Sequence, residues 1–429
     1  MRFDTSASIL FVAVLTFARC HALSIHHAVR TSADITTLQA APRRLEDNAD
    51  GVLFVNEKCI NCAACSHFAP DVFARSATDG HHIVRTQPDA TNAPQLDRAR
   101  AALSACPVAA IRVENSARLN HASRASGGSG EKLTQEDEEL AKLLAINPKV
   151  NGLALPFPRP LLEDHGTSVW FLGAHNDKSF GATPYLVHGK AQDGKRVSVM
   201  VDTPKFSPTS VRAVQSLLDN DDEESHFAAP DYLFLTHVDD TAHHLKWKEE
   251  FPSLKRIFHS GDLGPHNWLG DLTLEGVEVL LQGDDSNQAW NLDGEPLSIN
   301  LENLQQSSWP DDIAGDFIIL HTPGHSPGSI SLLHRSTDSG AVTLFTGDTY
   351  AFSTRDGGHM SGFPRYGNDL RLQSETLTNT IGGTSNLWDV IAPGHGHTRE
   401  YLSIPEEDRR KAKMDDIADA VEELKRFYR

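Results

Sequence analysis

Thiols are scarce in this chain, and their compact spacing is not that of a disulfide framework. Of 5 Cys in 429 residues, Cys20 stands alone near the start, and the other four are Cys59, Cys62, Cys65 and Cys106. Long apolar runs are missing as well. The one candidate, residues 7–18, is too short to span a bilayer, so the mature protein is expected to have no membrane association. Basic residues are outnumbered, 39 Lys and Arg against 58 Asp and Glu, for a formal charge of −19. The first 45 residues carry five Arg and two Asp, which leaves the remainder near −22. Such a surface repels phosphate backbones and argues against a nucleic-acid partner. What is present, 39% hydrophobic and 23% charged residues, suffices for two compact domains with a core each.

The N-terminus reads as a presequence over residues 1–48. Arg2, the short apolar run and the small-residue pattern at Cys20-His21-Ala22 have the form of a cleaved signal peptide. The stretch behind it is rich in Ser and Thr, contains Arg30, Arg43 and Arg44, and has Asp34 as its single acid up to Arg44. That composition is the one found in organelle transit peptides. Signal followed by transit resembles the two-part presequence that delivers proteins to plastids of secondary endosymbiotic origin, with Leu23 as the new first residue. Secretory or mitochondrial destinations are the alternatives.

Residues 58–70 read KCINCAACSHFAP and residues 104–113 read SACPVAAIRV. Three thiolates spaced by two residues can wrap three corners of a cubane cluster, and a distant Cys-Pro supplies the fourth. Zinc ribbons more often pair two C-x-x-C knuckles. With APDVF after the triplet, the Asp79-Gly80 turn, helical spacing over 95–104 and CPVAAI at the end, the region resembles the single-cluster [4Fe–4S] ferredoxins. The resemblance implies one [4Fe–4S] cluster on Cys59, Cys62, Cys65 and Cys106, within a domain over 49–118, and a possible electron-transfer protein partner. Clusters favour a reducing compartment, which weighs toward the plastid. Residues 119–150 begin Gly/Ser-rich and continue with an acidic helical pattern, the composition of a tether followed by a short helix.

From residue 151 to the end, apolar runs alternate with helical patterns. Strands are expected at 169–172, 184–188, 197–202, 232–237, 256–259, 277–281, 317–321, 329–334, 342–346 and 390–392. Helices are expected at 208–218, 241–251, 370–381 and 406–428, and a hairpin or loop excursion at 283–308. Metal-ligand residue types gather at strand ends: His237 in THVDDTAHH, His325 in HTPGHSPGS, Asp348 in LFTGDTY and His395 in IAPGHGHT. A rigid sheet can aim short side chains from such positions at a common point.

PGHSPGS, TGDT and PGHG, in that order, make the region resemble the metallo-β-lactamase superfamily. The fold class this implies is α+β: a ferredoxin-like domain followed by a four-layered αββα sandwich with a metal site at one edge. The superfamily pattern H-x-H-x-D-H is altered here to His237-Val238-Asp239-Asp240, followed by Thr241-Ala242-His243-His244. Carried over by resemblance, His237, Asp239 and His325 form a first metal site with Asp348 bridging. A second site needs His395 and one of Asp240, His243 or His244, and only one of the adjacent histidines can face inward from a helix. One or two Zn or Fe ions are expected, with Asp239 and Asp348 as catalytic carboxylates. His321 and His397 are candidates to orient ligands, His259 and His266 to line the cleft, and His26, His27, His81 and His82 read as solvated.

Two activities on a small-molecule substrate follow from the resemblance. One is hydrolysis of an ester or thioester in the manner of glyoxalase II, in which a metal lowers the pKa of its water. The other is iron redox chemistry, as in persulfide dioxygenases, whose iron positions correspond to His237, His325 and Asp348, or in flavodiiron proteins. A non-enzymatic electron-transfer role is the third reading.

Overall fold

The structure is a computed structural model. It describes residues 42–78, 80–114, 133–162, 168–218, 228–283, 288–297, 309–311 and 313–428. The presequence up to residue 41, the Gly/Ser-rich part of the tether and most of the 283–308 excursion lie outside the described residues. Among the described residues, no helix is long and apolar enough to cross a membrane.

The cysteine-bearing region is built from short elements, with Cys59, Cys62 and Cys106 outside helices and strands and Cys65 in the first turn of a five-residue helix. It runs β1 (Leu53–Val55), α1 (Ala64–Phe68), β2 (Phe73–Arg75), β3 (His82–Val84), α2 (Ala93–Ala105) and β4 (Ile111–Val113). β1 pairs antiparallel with β4, and β2 with β3. Helix α2 starts where Asn92 accepts the Gln95 N–H, with a proline in its first turn, and ends at Cys106. The expected helix behind the tether is present as α3 (Gln135–Leu143), opened by a Thr134–Asp137 capping box, and is followed by α4 (Pro148–Asn151).

The remainder is a sandwich of two sheets. The first holds β5 (Arg159–Pro160), β6 (Val169–Phe171), β7 (Tyr185–Lys190), β8 (Arg196–Val201), β9 (Tyr232–Phe234), β10 (Lys255–His259) and β11 (Val279–Leu281), adjacent in sequence order. The second holds β12 (Ala289–Trp290), β13 (Phe317–His321), β14 (Ile330–Arg335), β15 (Val342–Gly347), β18 (Val390–Pro393) and β19 (Arg399–Glu400). A separate hairpin, β16 (Ala351–Ser353) with β17 (His359–Ser361), interrupts it. Alternation along each strand divides the apolar side chains between two faces. Val187, Val199, Phe234 and Ile257 meet Ile319, Leu332 and Phe345 between the sheets. Leu186, Met200, Leu233 and Phe258 face out against α5 (Pro208–Leu218) and α6 (His244–Glu250). Ile318, Leu333 and Leu344 face α7 (Leu370–Thr376), the turn Leu377–Ile381 behind it and α8 (Glu406–Lys425). The layers are therefore αββα.

Strand direction puts the chemistry at one edge. β8 and β9 run parallel. In the other sheet, β13 and β15 each pair antiparallel with β14 and so run the same way, and β18 is parallel to β15. The residues just past β8, β9, β13, β15 and β18 all carry polar ligand types.

The cluster region and the sandwich share one core. Phe68 of α1 sits edge-on to Phe157 at 5.0 Å and to Phe171 at 5.3 Å, and His67 to Phe171 at 5.4 Å. Leu140 and Leu144 are buried in the same apolar cluster. Arg100 of α2 donates to the Ala154 carbonyl at 2.8 Å, and Arg159 pairs with Asp97 at 2.9 Å. His82, expected in solvent, is 1% exposed; its Nε2 lies 3.0 Å from Ser66 Oγ, which is also 3.0 Å from His397 Nε2. That network ties the cluster region to the loop behind β18.

Burial holds the pKa of His82 down at about 3, and those of His175, His188, His334 and His397 at about 4. The unfolded chain binds these protons near 6.5, so the stability they contribute is full above that pH and is lost as pH falls toward 4. Denaturant unfolding should therefore show a midpoint that drops steadily across this window. A flat profile would contradict burial of neutral imidazoles.

Candidate metal centre and cluster site

All four cluster cysteines line one small cavity, with Val55, Pro107 and Ile111 among its walls. None is disulfide-bonded. The loop that carries them is bent by Asn61 (φ 60°) and Ala63 (φ 64°), both in the left-handed region, where a side chain costs about a kcal/mol or more. The Ala110 N–H donates to Cys106 Sγ at 3.1 Å. Burial pushes the Cys62 thiol up to about 12 and Cys65 also well up, with the neighbouring cysteines adding to both. Four sulfurs around one small cavity, with Cys62 and Cys65 resisting ionisation on their own, fit a cationic iron cluster, whose charge is what would hold them as thiolates.

His237 follows β9 and is 1% exposed. Its Nδ1 lies 3.0 Å from Thr236 Oγ1, and Thr236 donates its N–H and hydroxyl to Asp202 at 2.9 and 3.0 Å. Asp202, at the end of β8, is pushed up to about 7, chiefly by burial. His325 lies on the loop after β13. A buried carboxylate, Asp262, staples that loop to the His237 loop by accepting the Val238 N–H at 2.9 Å, the Ser326 hydroxyl at 2.7 Å and the Gly328 N–H at 2.6 Å. Neither Asp202 nor Asp262 is legible as a site residue by motif. Their only signal is the strand-end position that the ligands share.

Two donor sets meet at Asp348. His237, His325 and Asp348 form one, and Asp240, Asp348 and His395 the other; within each, the ligand atoms lie within 4.8 Å of one another. Asp348 Oδ2 is 3.9 Å from His237 Nε2 and 3.7 Å from His325 Nε2, and its Oδ1 is 2.8 Å from His395 Nδ1. Burial opposes ionisation of Asp348, but His395, His237 and His325 outweigh it and hold the carboxyl well below its usual range. Gly394 is needed beside these acids, since a Cβ there would stand 2.8 Å from Asp240 Oδ2 and 3.0 Å from Asp348 Oδ1. Gly347 (φ 49°) is needed for a like reason, because a Cβ would meet Thr236 Oγ1 at 2.6 Å.

The residues fit metal ions on chemical grounds. Both carboxylate oxygens of Asp240, and Nε2 of His237, His325 and His395, are buried without a hydrogen-bond partner. Burial drives the Asp240 carboxyl well up unless a cation sits beside it. Neutral imidazoles and hard carboxylate oxygens together suit Zn²⁺, Fe²⁺ or Mn²⁺.

Asp239 approaches the two histidines of the first set as closely as Asp348 does. Its Oδ2 is 3.8 Å from His237 Nε2 and 3.9 Å from His325 Nε2, while its Oδ1 accepts the Trp268 indole N–H at 2.6 Å. His243 and His244 were both candidates for the second site, and neither faces it. His243 has φ 73° and precedes α6, with its Nδ1 accepting the Phe206 N–H at 3.0 Å. His244 lies between Arg256 at 3.1 Å and Asp271 at 3.1 Å. The helix starts later than the sequence pattern indicates, and the 3₁₀ turn Val238–Asp240 brings Asp240 inward instead. His259 stacks on His321 at 4.3 Å, close to Trp290, in the sheet rather than the cleft.

The two sites open on one cavity of about 460 Å³. Ile60, Cys62 and His82 of the cluster region line it, as do Asp239, His325, Asp348 and His395. The contact is close: a Cβ on Gly181 (φ 94°) would stand 2.9 Å from Cys62 Cβ and 3.1 Å from its Sγ.

In metal analysis with chelator competition, Asp240→Asn should lose the second ion, while His243→Ala and His244→Ala keep full metal content. Asp262→Ala should lower affinity roughly 10–100-fold by freeing both loops. Full occupancy in Asp240→Asn with loss in His243→Ala would reverse the assignment.

Residues 55–113 match the family described as the 4Fe-4S single cluster domain of Ferredoxin I. No curated protein matches the chain. Among solved structures, an archaeal metallo-β-lactamase superfamily protein from Sulfolobus tokodaii is 17% identical with a TM-score of 0.30, covering 56% of this chain and 93% of that one. A metallo-β-lactamase from Novosphingobium pentaromativorans is 15% identical with a TM-score of 0.34, covering 63% and 88%. The mono-zinc form of a metallo-β-lactamase from Pseudomonas aeruginosa is 12% identical with a TM-score of 0.33, covering 61% and 96%. At these values the overlap says nothing of activity; the layer order and the convergent strand ends describe the fold. The chain thus joins a region that matches the single-cluster 4Fe-4S domain of Ferredoxin I to an αββα sandwich.

Proposed function

We propose that the protein is a metal-dependent oxidoreductase acting on a small molecule held between the cluster loop and the metal residues. The observation that carries this reading is that Cys62 lines the same cavity as Asp348 and His395. Hydrolysis needs no electron carrier, whereas a one-electron donor at the wall of a substrate cavity suits redox chemistry. The donor set His237, His325 and Asp348 has the two-His, one-carboxylate composition that leaves positions open on a ferrous ion. Such an ion would supply one-electron and Lewis-acid chemistry to the cavity. A cluster on the four cysteines supplies electrons singly.

The chain's own residues set the conditions. Burial keeps His237 neutral down to about pH 4, so both its nitrogens stay available, one to a metal and one to Thr236. Asp348 accepts from His395 at 2.8 Å, which orients its carboxylate toward the two histidines. Trp268 holds Asp239 at the cavity wall. Burial raises the pKa of Asp239, but His325, His237 and the indole N–H together bring it below the usual range, so it is ionised. An ionised carboxylate there is a proton acceptor for substrate, which also favours ester or thioester hydrolysis as the second reading.

The two readings separate in one experiment. Anaerobically reduced, iron-loaded protein is mixed with oxygenated buffer, and cluster absorbance is followed for the wild type and for His325→Ala. Slower cluster reoxidation in the variant is expected. Equal rates, together with turnover of a glutathione thioester that is indifferent to cluster redox state, would establish the hydrolase instead.

A further inference from the structure

The cavity is lined by side chains of both charges, with Asp177 a further acid among them. Asp239 and Asp348 stand at the metal end, while Arg75 from β2 of the ferredoxin domain and Arg355 from the turn after β16 line the same space. The two guanidinium groups come from different domains and lie close enough that the charge on Arg355, after burial, is the next cause lowering the pKa of Arg75. Asp356 and Tyr366 are the neighbours that oppose that shift. Tyr366 is 67% exposed, which puts this end at the rim. Two cations held together at the mouth of a cavity, on a chain of net charge −19, repel each other and attract an anion. The lining also includes the apolar side chains of Phe180, Phe363 and Ile60. A cavity of about 460 Å³ is in the range that encloses a small organic molecule with a few polar groups fixing its orientation.

We propose that the substrate is a small molecule with a carboxylate or similar anionic group held by Arg75 and Arg355, an apolar body along Phe180 and Phe363, and its reacting group at the metal end. This rests on the proposed use of the cavity as the reaction site, and it makes the ferredoxin domain a wall of the binding pocket as well as an electron carrier. Arginine suits the task because its fork pairs with carboxylate through two parallel hydrogen bonds.

The test is isothermal titration of cluster- and zinc-loaded protein with 4-phenylbutyrate and its neutral amide. The carboxylate should bind at least about tenfold more tightly than the amide, and its affinity should fall with salt. Arg75→Gln and Arg355→Gln should each remove about tenfold from carboxylate affinity and leave the amide unchanged, with Arg75→Lys recovering part of the loss. Carboxylate preference should survive in His325→Ala. The proposal is overturned if neither probe binds, if the wild type shows no preference, or if the preference persists in both arginine variants and disappears in His325→Ala, which would put the anion on the metal. Cluster reoxidation measured on the same samples reports the redox reading separately, so failure of one leaves the other judged on its own data.

Discussion

The absence of a side chain at Gly181 is the constraint on which the arrangement depends. Its backbone lies against Cys62 so closely that a methyl group would collide with Cβ and Sγ of the cysteine and with the Pro107 ring. Because the Gly181 backbone meets the Cys62 side chain directly, the cluster loop becomes a wall of the cavity over the metal residues. Contacts around it fix the approach: Phe68 against Phe157 and Phe171, and Ser66 between His82 and His397. These contacts are buried and multiple, so the domains form a packed unit.

Asp348 has the corresponding role inside the sandwich. It is shared by both donor sets and accepts a hydrogen bond from His395. Around it, Asp202 and Asp240 are buried acids whose ionisation burial opposes. A fold that gathers three carboxylates at the ends of β8, β9 and β15 is electrostatically unfavourable without cations, and the unpartnered imidazole nitrogens beside them are suited to bind those cations. The Thr236–Asp202 and Asp262 hydrogen bonds then hold the ligand loops rigid, as a preorganised site requires.

Much of this was legible in the sequence because it is encoded locally. Cysteine spacing indicates the cluster, and alternating apolar residues mark strands whose ends carry His237, His325, Asp348 and His395. Period alone placed helix 208–218 and most inner strands near their observed positions. The THVDDTAHH loop was harder. A helical reading from Thr241 turns one of the adjacent histidines inward, but the left-handed conformation at His243 delays the helix and directs both away. Such a backbone choice is made by tertiary contacts, here the Phe206 N–H and Arg256. His82 differs from its solvated expectation for the same reason, since its burial comes from a surface far away in the chain. Asp202, Asp262 and the arginine pair carry no motif at all, and only the assembled edge gives them roles.

The central claim is that the cluster and the catalytic metal face each other across one cavity, and paramagnetic relaxation of the reduced cluster tests it most directly. Protein with a reduced [4Fe–4S] cluster is loaded at the catalytic site with Zn²⁺ or with paramagnetic Co²⁺, and the cluster's electron paramagnetic resonance signal is compared between the two. The account predicts faster relaxation or resolved splitting with Co²⁺, both abolished in His325→Ala. Identical cluster signals with the two metals, at full occupancy of both sites, would contradict it.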